Sequence, residues 1–149
     1  MKKLLSIIFF FIFQFGFSQS IDDQIKNIEQ KVISWRHDFH RHPELSNREF
    51  RTSEVIAKHL ESLGISVTRN VGVNGVVGIL EGYKKGKVVG LRADMDALPI
   101  KEKNYLPFMS INDGVMHACG HDSHMAILMG AAEILSLIHI SEPTRPGHI

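Results

Sequence analysis

The sequence predicts an α/β domain in which helices flank a partial mixed sheet. Apolar residues recur at helical spacing near both ends of the chain, and between them lie short β-branched runs cut by glycine and asparagine. The chain has 149 residues, 44% hydrophobic and 22% charged, enough for one ordinary core and unlike a disordered polymer. Helix, helix, strands, helix is the order expected of a layered α/β arrangement.

The first residues differ from all that follow. Lys2 and Lys3 precede an apolar run from Leu4 to Phe17, and the small residues Gly16 and Ser18 then sit two apart. This is the pattern of an export signal over residues 1–18, cleaved after Ser18. A retained membrane anchor is the rival, but the run is shorter than the roughly 20 apolar residues a spanning helix needs.

Ile21, Ile25, Ile28, Val32, Trp35 and Phe39 mark one face of a first helix, with Ser20 and Asp23 as a capping box and Pro43 forcing an end near His40 to His42. Ser46 with Glu49 predicts the start of a second helix, carrying Val55, Ile56, Leu60 and Leu63 and stopping at Gly64. Strands are expected at Ile65 to Thr68, Val76 to Leu80 and Val88 to Leu91, separated by Gly72, Asn74-Gly75 and the stretch Tyr83 to Gly86. Val88 to Leu91 is apolar on both faces, which predicts a central strand covered on both sides. A last helix starts near Asp122 or Ser123 and carries Met125, Ile127, Leu128, Ala131, Ala132 and Leu135. Its pattern is interrupted from Ser136 onward by Leu137 to Ile140 and then by two prolines. Residues 136–149 therefore read either as a frayed end or, the favoured alternative, as translated cloning or adapter DNA joined to residues 19–135.

Charge excludes one class of partner. The 17 basic and 16 acidic residues are interspersed, with no basic block to follow a phosphate backbone, so nucleic acid is not expected to bind. A single cysteine, Cys119, rules out an internal disulfide.

Cys119 lies in the richest segment, His117-Ala118-Cys119-Gly120-His121-Asp122-Ser123-His124. A thiolate and an imidazole one residue apart can project to one side of an extended segment and reach one metal ion, with Gly120 leaving room between them. Asp122 can cap the helix that follows, whose positive end also favours a nearby thiolate. A reactive thiol and a buried structural cysteine are the alternatives. Two ligands do not complete a zinc site, which takes at least three from protein. A second candidate, Asp94 and Asp96, follows the expected strand Val88 to Leu91, at the strand end where open α/β sheets bind ligands. One of the two could bond the free ring nitrogen of a metal-bound histidine while the other holds the loop; the alternative is a solvated acidic turn. The histidines of Arg36 to Leu45 are expected to complement a helix C-terminus, and His59 to be structural.

Taken in order and spacing, WRHDFHRHPELSNREFRTSEVIAKHLESLGI, GVVGILEG, GLRADMDALPI and MHACGHDSHMAILMGAAEIL resemble the start of the bacterial and plant metallo-amidohydrolases. This group includes hippurate hydrolases, N-acyl-amino-acid deacylases and auxin-conjugate hydrolases, within the aminoacylase and carboxypeptidase superfamily. The resemblance implies the first part of a di-metal peptidase catalytic domain. It makes Cys119 and His121 ligands of a two-metal centre and gives Asp96 a supporting role. Asp94 stands where relatives outside the subfamily carry a liganding histidine, and His124 is left as a supporting or structural residue. The family's general-base glutamate, its further ligands and its lid and dimerisation domain are expected to lie beyond this sequence.

The resemblance further implies hydrolysis of an N-acyl amino acid or small peptide by a full-length, homodimeric parent, which the leader alone is expected to place outside the cytoplasm. Two divalent metals are implied, zinc favoured on thiolate and imidazole, with manganese, cobalt or nickel as alternatives. The competing expectations are a non-catalytic exported metal-binding chain and a membrane-tethered redox thiol protein. Apolar surface left open by missing strands is expected to make the chain poorly soluble.

Overall fold

The computed structural model describes residues 20–82 and 86–140; the expected export signal and residues 141–149 of the doubtful tail lie outside these. Among these residues there are three helices, α1 (Ile21–Arg41), α2 (Phe50–Ser62) and α3 (His121–Ile140), and an antiparallel hairpin of β1 (Ser66–Val71) and β2 (Gly75–Ile79) that packs on α2. Among the described residues no helix is long and apolar enough to cross a membrane.

The start of α1 is built as its sequence implies, with Ser20 Oγ accepting the Asp23 N–H at 3.2 Å and donating to the Asp23 carboxylate at 2.7 Å. The start of α2 is not. Glu49 stands at the cap position, but its carboxylate accepts from Asn74 Nδ2 at 3.1 Å, and Ser46 is exposed. Glu44 does the capping instead, from the turn after α1. Its two oxygens accept the N–H groups of Arg51 at 3.1 Å and Thr52 at 2.8 Å, two of the donors that the first helical turn leaves unpaired. At the other end Gly64 takes φ +74°, a left-handed turn open to glycine, and its N–H donates to Glu61 O at 3.0 Å.

The hairpin also departs from expectation at one strand. Ser66 pairs with Ile79 and Thr68 with Val77, with a bulge before Val71 meets Gly75. Val88 to Leu91, expected to be a central strand, has no strand partner among the described residues and is exposed: Val88 97%, Val89 80%, Leu91 58%. A strand is defined by the neighbour it bonds to, and β1 and β2 bond only to each other here. Among the described residues the expected α/β class is present, with a sheet that is two-stranded and antiparallel. Val89 and Leu91 instead line one side of an apolar cleft of about 450 Å³, closed by Ile56 and Leu60 of α2 and by Met125 and Leu128 of α3.

The core lies where α1 crosses α3. Phe39, Met125 and Met129 are buried together, with Trp35, Val55, Ile56, Ala93 and Met95 against them. The crossing is close: a Cβ on Gly130 would come within 2.8 Å of Val32 Cγ2. Lys31 Nζ reaches Glu133 at 2.7 Å across the same interface. Leu137 to Ile140 do not interrupt α3, which runs to Ile140; the Ser136 hydroxyl donates to Glu133 O at 2.7 Å and so is satisfied inside the helix.

Glu44→Ala should lower stability to denaturant by about 1–2 kcal/mol, the usual cost of a lost helix cap. Ser46→Ala should leave the unfolding midpoint unchanged. Val88→Lys should raise the concentration at which light scattering first detects aggregates, with little effect on that midpoint, because the side chain touches so little of the fold.

Candidate metal centre

Three chain segments are stitched side by side. Ala97 N–H donates to Glu44 O at 2.8 Å, and Leu98 and Met116 exchange both backbone hydrogen bonds at 3.0 Å. This fixes the loop carrying Asp94 and Asp96 against the segment that leads into Cys119. The latter is not extended, as was expected, but turns at Ala118 to Gly120 and enters α3 at His121. Gly120 takes φ +84°, and no atom of the described residues lies within 4 Å of where its Cβ would be. Its glycine is required by backbone conformation and not by crowding. The Gly120 carbonyl accepts from Ser123 N at 3.1 Å and His124 N at 3.2 Å, so α3 begins immediately after it.

The two aspartates separate in role. His121 Nδ1 donates to the backbone carbonyl of Asp96 at 2.9 Å and lies 3.1 Å from its carboxylate. That contact places the proton on Nδ1 and leaves Nε2 as the lone-pair nitrogen, the tautomer a metal requires. Asp94 instead pairs with Arg92, at 2.7 Å from Nη2. The hydrogen bond from Arg92 holds the Asp94 carboxyl below its usual range, with smaller contributions from His121 and His124. Cys119 is exposed, and His121 is half-buried beside His124, their ring centroids 5.8 Å apart. Among the described residues no three His, Cys, Asp or Glu side chains converge as a metal site. Thiolate and imidazole nevertheless fit a borderline-soft divalent ion, and the arrangement of His121 matches what such an ion needs of a ligand.

Three buried groups were not expected. His117 is 4% exposed, and neither ring nitrogen has a hydrogen-bond partner among the described residues. Burial pushes its pKa down to about 4, against an opposing pull from Asp122. Asp122 and His40 are both buried and bonded to each other at 2.8 Å. Burial of the Asp122 carboxyl is outweighed by hydrogen bonds from His40 and from the Ser123 amide, so its pKa lies below the usual range. Asp122 thus accepts an amide of the first turn of α3, as a cap would, while the same carboxyl also faces α1. Of the histidines closing α1, His42 does bond the helix end, donating to Asp38 O at 2.8 Å, while His37 stacks on Phe108 at 3.8 Å. His40 turns inward. The available signal was Arg36 and His40 four residues apart beside the core residue Phe39. His59, expected to be structural, donates from Nε2 to Met129 O at 3.2 Å and packs edge-on against Trp35.

The profile of the "Peptidase family M20/M25/M40" matches residues 90–149. The chain is 47% identical over 118 residues to thermostable carboxypeptidase 1 of Saccharolobus solfataricus, covering 78% of this chain and 30% of that protein. It is 44% identical over 118 residues to the N-acyl-L-amino acid amidohydrolase of Geobacillus stearothermophilus, covering 79% of this chain and 32% of the relative. Among solved structures, the Bacillus subtilis YXEP protein, described as a dinuclear metal-binding peptidase of the M20 family, superposes with a TM-score of 0.72 at 42% identity, over 76% of this chain and 32% of that one. The chain therefore spans about a third of the length of the relatives it matches. By both sequence and fold it resembles the peptidase family M20/M25/M40, and the relatives it is similar to include amidohydrolases.

Proposed function

We propose that this chain supplies part of the metal centre of an exported amidohydrolase that cleaves N-acyl amino acids or small peptides. The observation that carries the reading is the seating of His121, with Nδ1 held by Asp96 and Nε2 left free two residues from an exposed thiol. Cys119 and His121 would hold a divalent ion, zinc being favoured, and Asp96 would fix the tautomer and rotation of His121. Bound metal in such a centre makes water acidic and polarises an amide carbonyl. The residues of this chain contribute by fixing the donors, and the YXEP likeness supports a centre of two ions. Export rests on the charge and apolar pattern of residues 1–18.

A second reading is favoured by the lack of a third converging donor among the described residues: metal binding without hydrolysis. Assaying these 149 residues for metal-dependent release of amino acid from N-acyl substrates separates the two, since turnover would rule out the second. Under either reading, Cys119→Ala should abolish measurable binding in a competition titration with zinc. Asp96→Ala should weaken binding about tenfold, because the backbone carbonyl still holds Nδ1. Asp94→Ala should change little. Parental affinity in Cys119→Ala would remove the assigned ligand.

A further inference from the structure

Behind the metal-binding turn, three separate parts of the chain meet at one imidazole. Asp122, the neighbour of His121, accepts on Oδ2 from His40 Nδ1 at 2.8 Å and from Arg36 Nε at 3.2 Å. The other ring nitrogen of His40 donates to Glu102 Oε1 at 3.2 Å, and the second oxygen of Glu102 accepts the Ser110 N–H at 2.7 Å. The side chains of His40, Asp122 and Glu102 are only 5%, 2% and 2% exposed. Phe108, from the same loop as Glu102 and Ser110, closes the site edge-on to His40 at 5.5 Å, with the Arg36 guanidinium 5.2 Å from its ring.

An ionised carboxylate only accepts hydrogen bonds, so both contacts of His40 are made when its ring carries both protons. The ring is then a rigid, two-ended donor placed between two buried anions. A flexible ammonium cannot reproduce that, and an apolar replacement leaves Asp122 to Arg36 and the Ser123 amide, and Glu102 to the Ser110 amide. His121 and Asp122 are consecutive residues in one helical turn, so rotation of that turn moves both. Asp96 grips the first of them and His40 the second.

We propose that His40 is a positioning residue of the metal centre: it clamps Asp122 against the loop bearing Glu102 and thereby sets the rotation of the first turn of α3, which aims His121 and the preceding Cys119. The inference rests on the assignment of Cys119 and His121 as ligands. Metal donors have to be held within about 0.5 Å of their working positions, and partners that orient them are worth about 10-fold to 100-fold in affinity.

The test is a cobalt(II) titration of the whole chain, followed by affinity and by the cobalt–thiolate absorption of Cys119. His40→Gln should weaken binding about 10-fold to 100-fold and shift the absorption. Glu102→Gln should act in the same direction more weakly, and the double variant should lose less than the two losses combined. Ile134→Ala, which removes buried volume further along α3, destabilises the fold and should leave the affinity of the folded fraction unchanged. If His40→Gln does not fold by circular dichroism, Glu102→Gln decides: weakened binding with a shifted absorption supports the clamp, and a parental titration overturns it. A parental protein without the thiolate absorption overturns the ligand assignment and this inference with it. A parental absorption left unaltered by both variants overturns this inference alone.

Discussion

Burial of the Asp122 carboxylate constrains everything around the metal-binding turn. A carboxylate out of water is tolerated only when its oxygens are bonded and its charge is opposed. Asp122 meets both demands through side chains of α1, 82 and 86 residues earlier in the chain. Satisfying one side chain thus docks the start of α3 onto the end of α1, beside the Phe39, Met125 and Met129 core. Polar compensation and apolar packing favour the same helix crossing, and the absence of a side chain at Gly130 lets that crossing close. Local and long-range preferences agree here, as they do in sequences that specify one structure.

What could be seen in the sequence was what is decided within a few residues. The Ser20 cap, the stop before Pro43, the Gly64 terminus and the hairpin turn each follow from chemistry inside a short window, and each is present. Expectations failed where a partner lies far away. Val88 to Leu91 has the composition of a strand, but composition cannot supply the neighbouring backbone. Ser46 and Glu49 have the spacing of a cap, yet Glu49 is drawn to Asn74 in the hairpin and the helix is capped from Glu44. In the centre itself, an aspartate bonding the ring nitrogen of a liganding histidine was anticipated. That the grip comes as much from the Asp96 carbonyl as from its carboxylate could not be, because a main-chain contact leaves no residue type to recognise. His117 and His40 were hidden for a related reason: burial is a property of the assembled fold.

The relatives add scale. About a third of the relatives' length is matched here at 42–47% identity, with the helices placed well enough to superpose on the YXEP structure. Within that third, the paired backbone bonds of Leu98 with Met116 shape the centre, since they bring a loop and a turn together that share no helix or strand. The cleft between α2, α3 and Val89 shows the opposite condition, apolar surface that the described residues surround without filling.

The capping of α2 from Glu44 has a consequence for how the molecule assembles. Helices usually carry their own start signals, and a peptide bearing one samples helix before any tertiary contact exists. The first turn of α2 instead depends on a carboxylate whose own position is set by the Pro43 bend and by the Ala97 bond to the Glu44 carbonyl. Ordering of a local segment is thereby coupled to closure of a long loop, which raises the entropic barrier to forming it early. In return, the cap of α2 and the loop bearing Asp96 share Glu44, so the stability of each is coupled to the other.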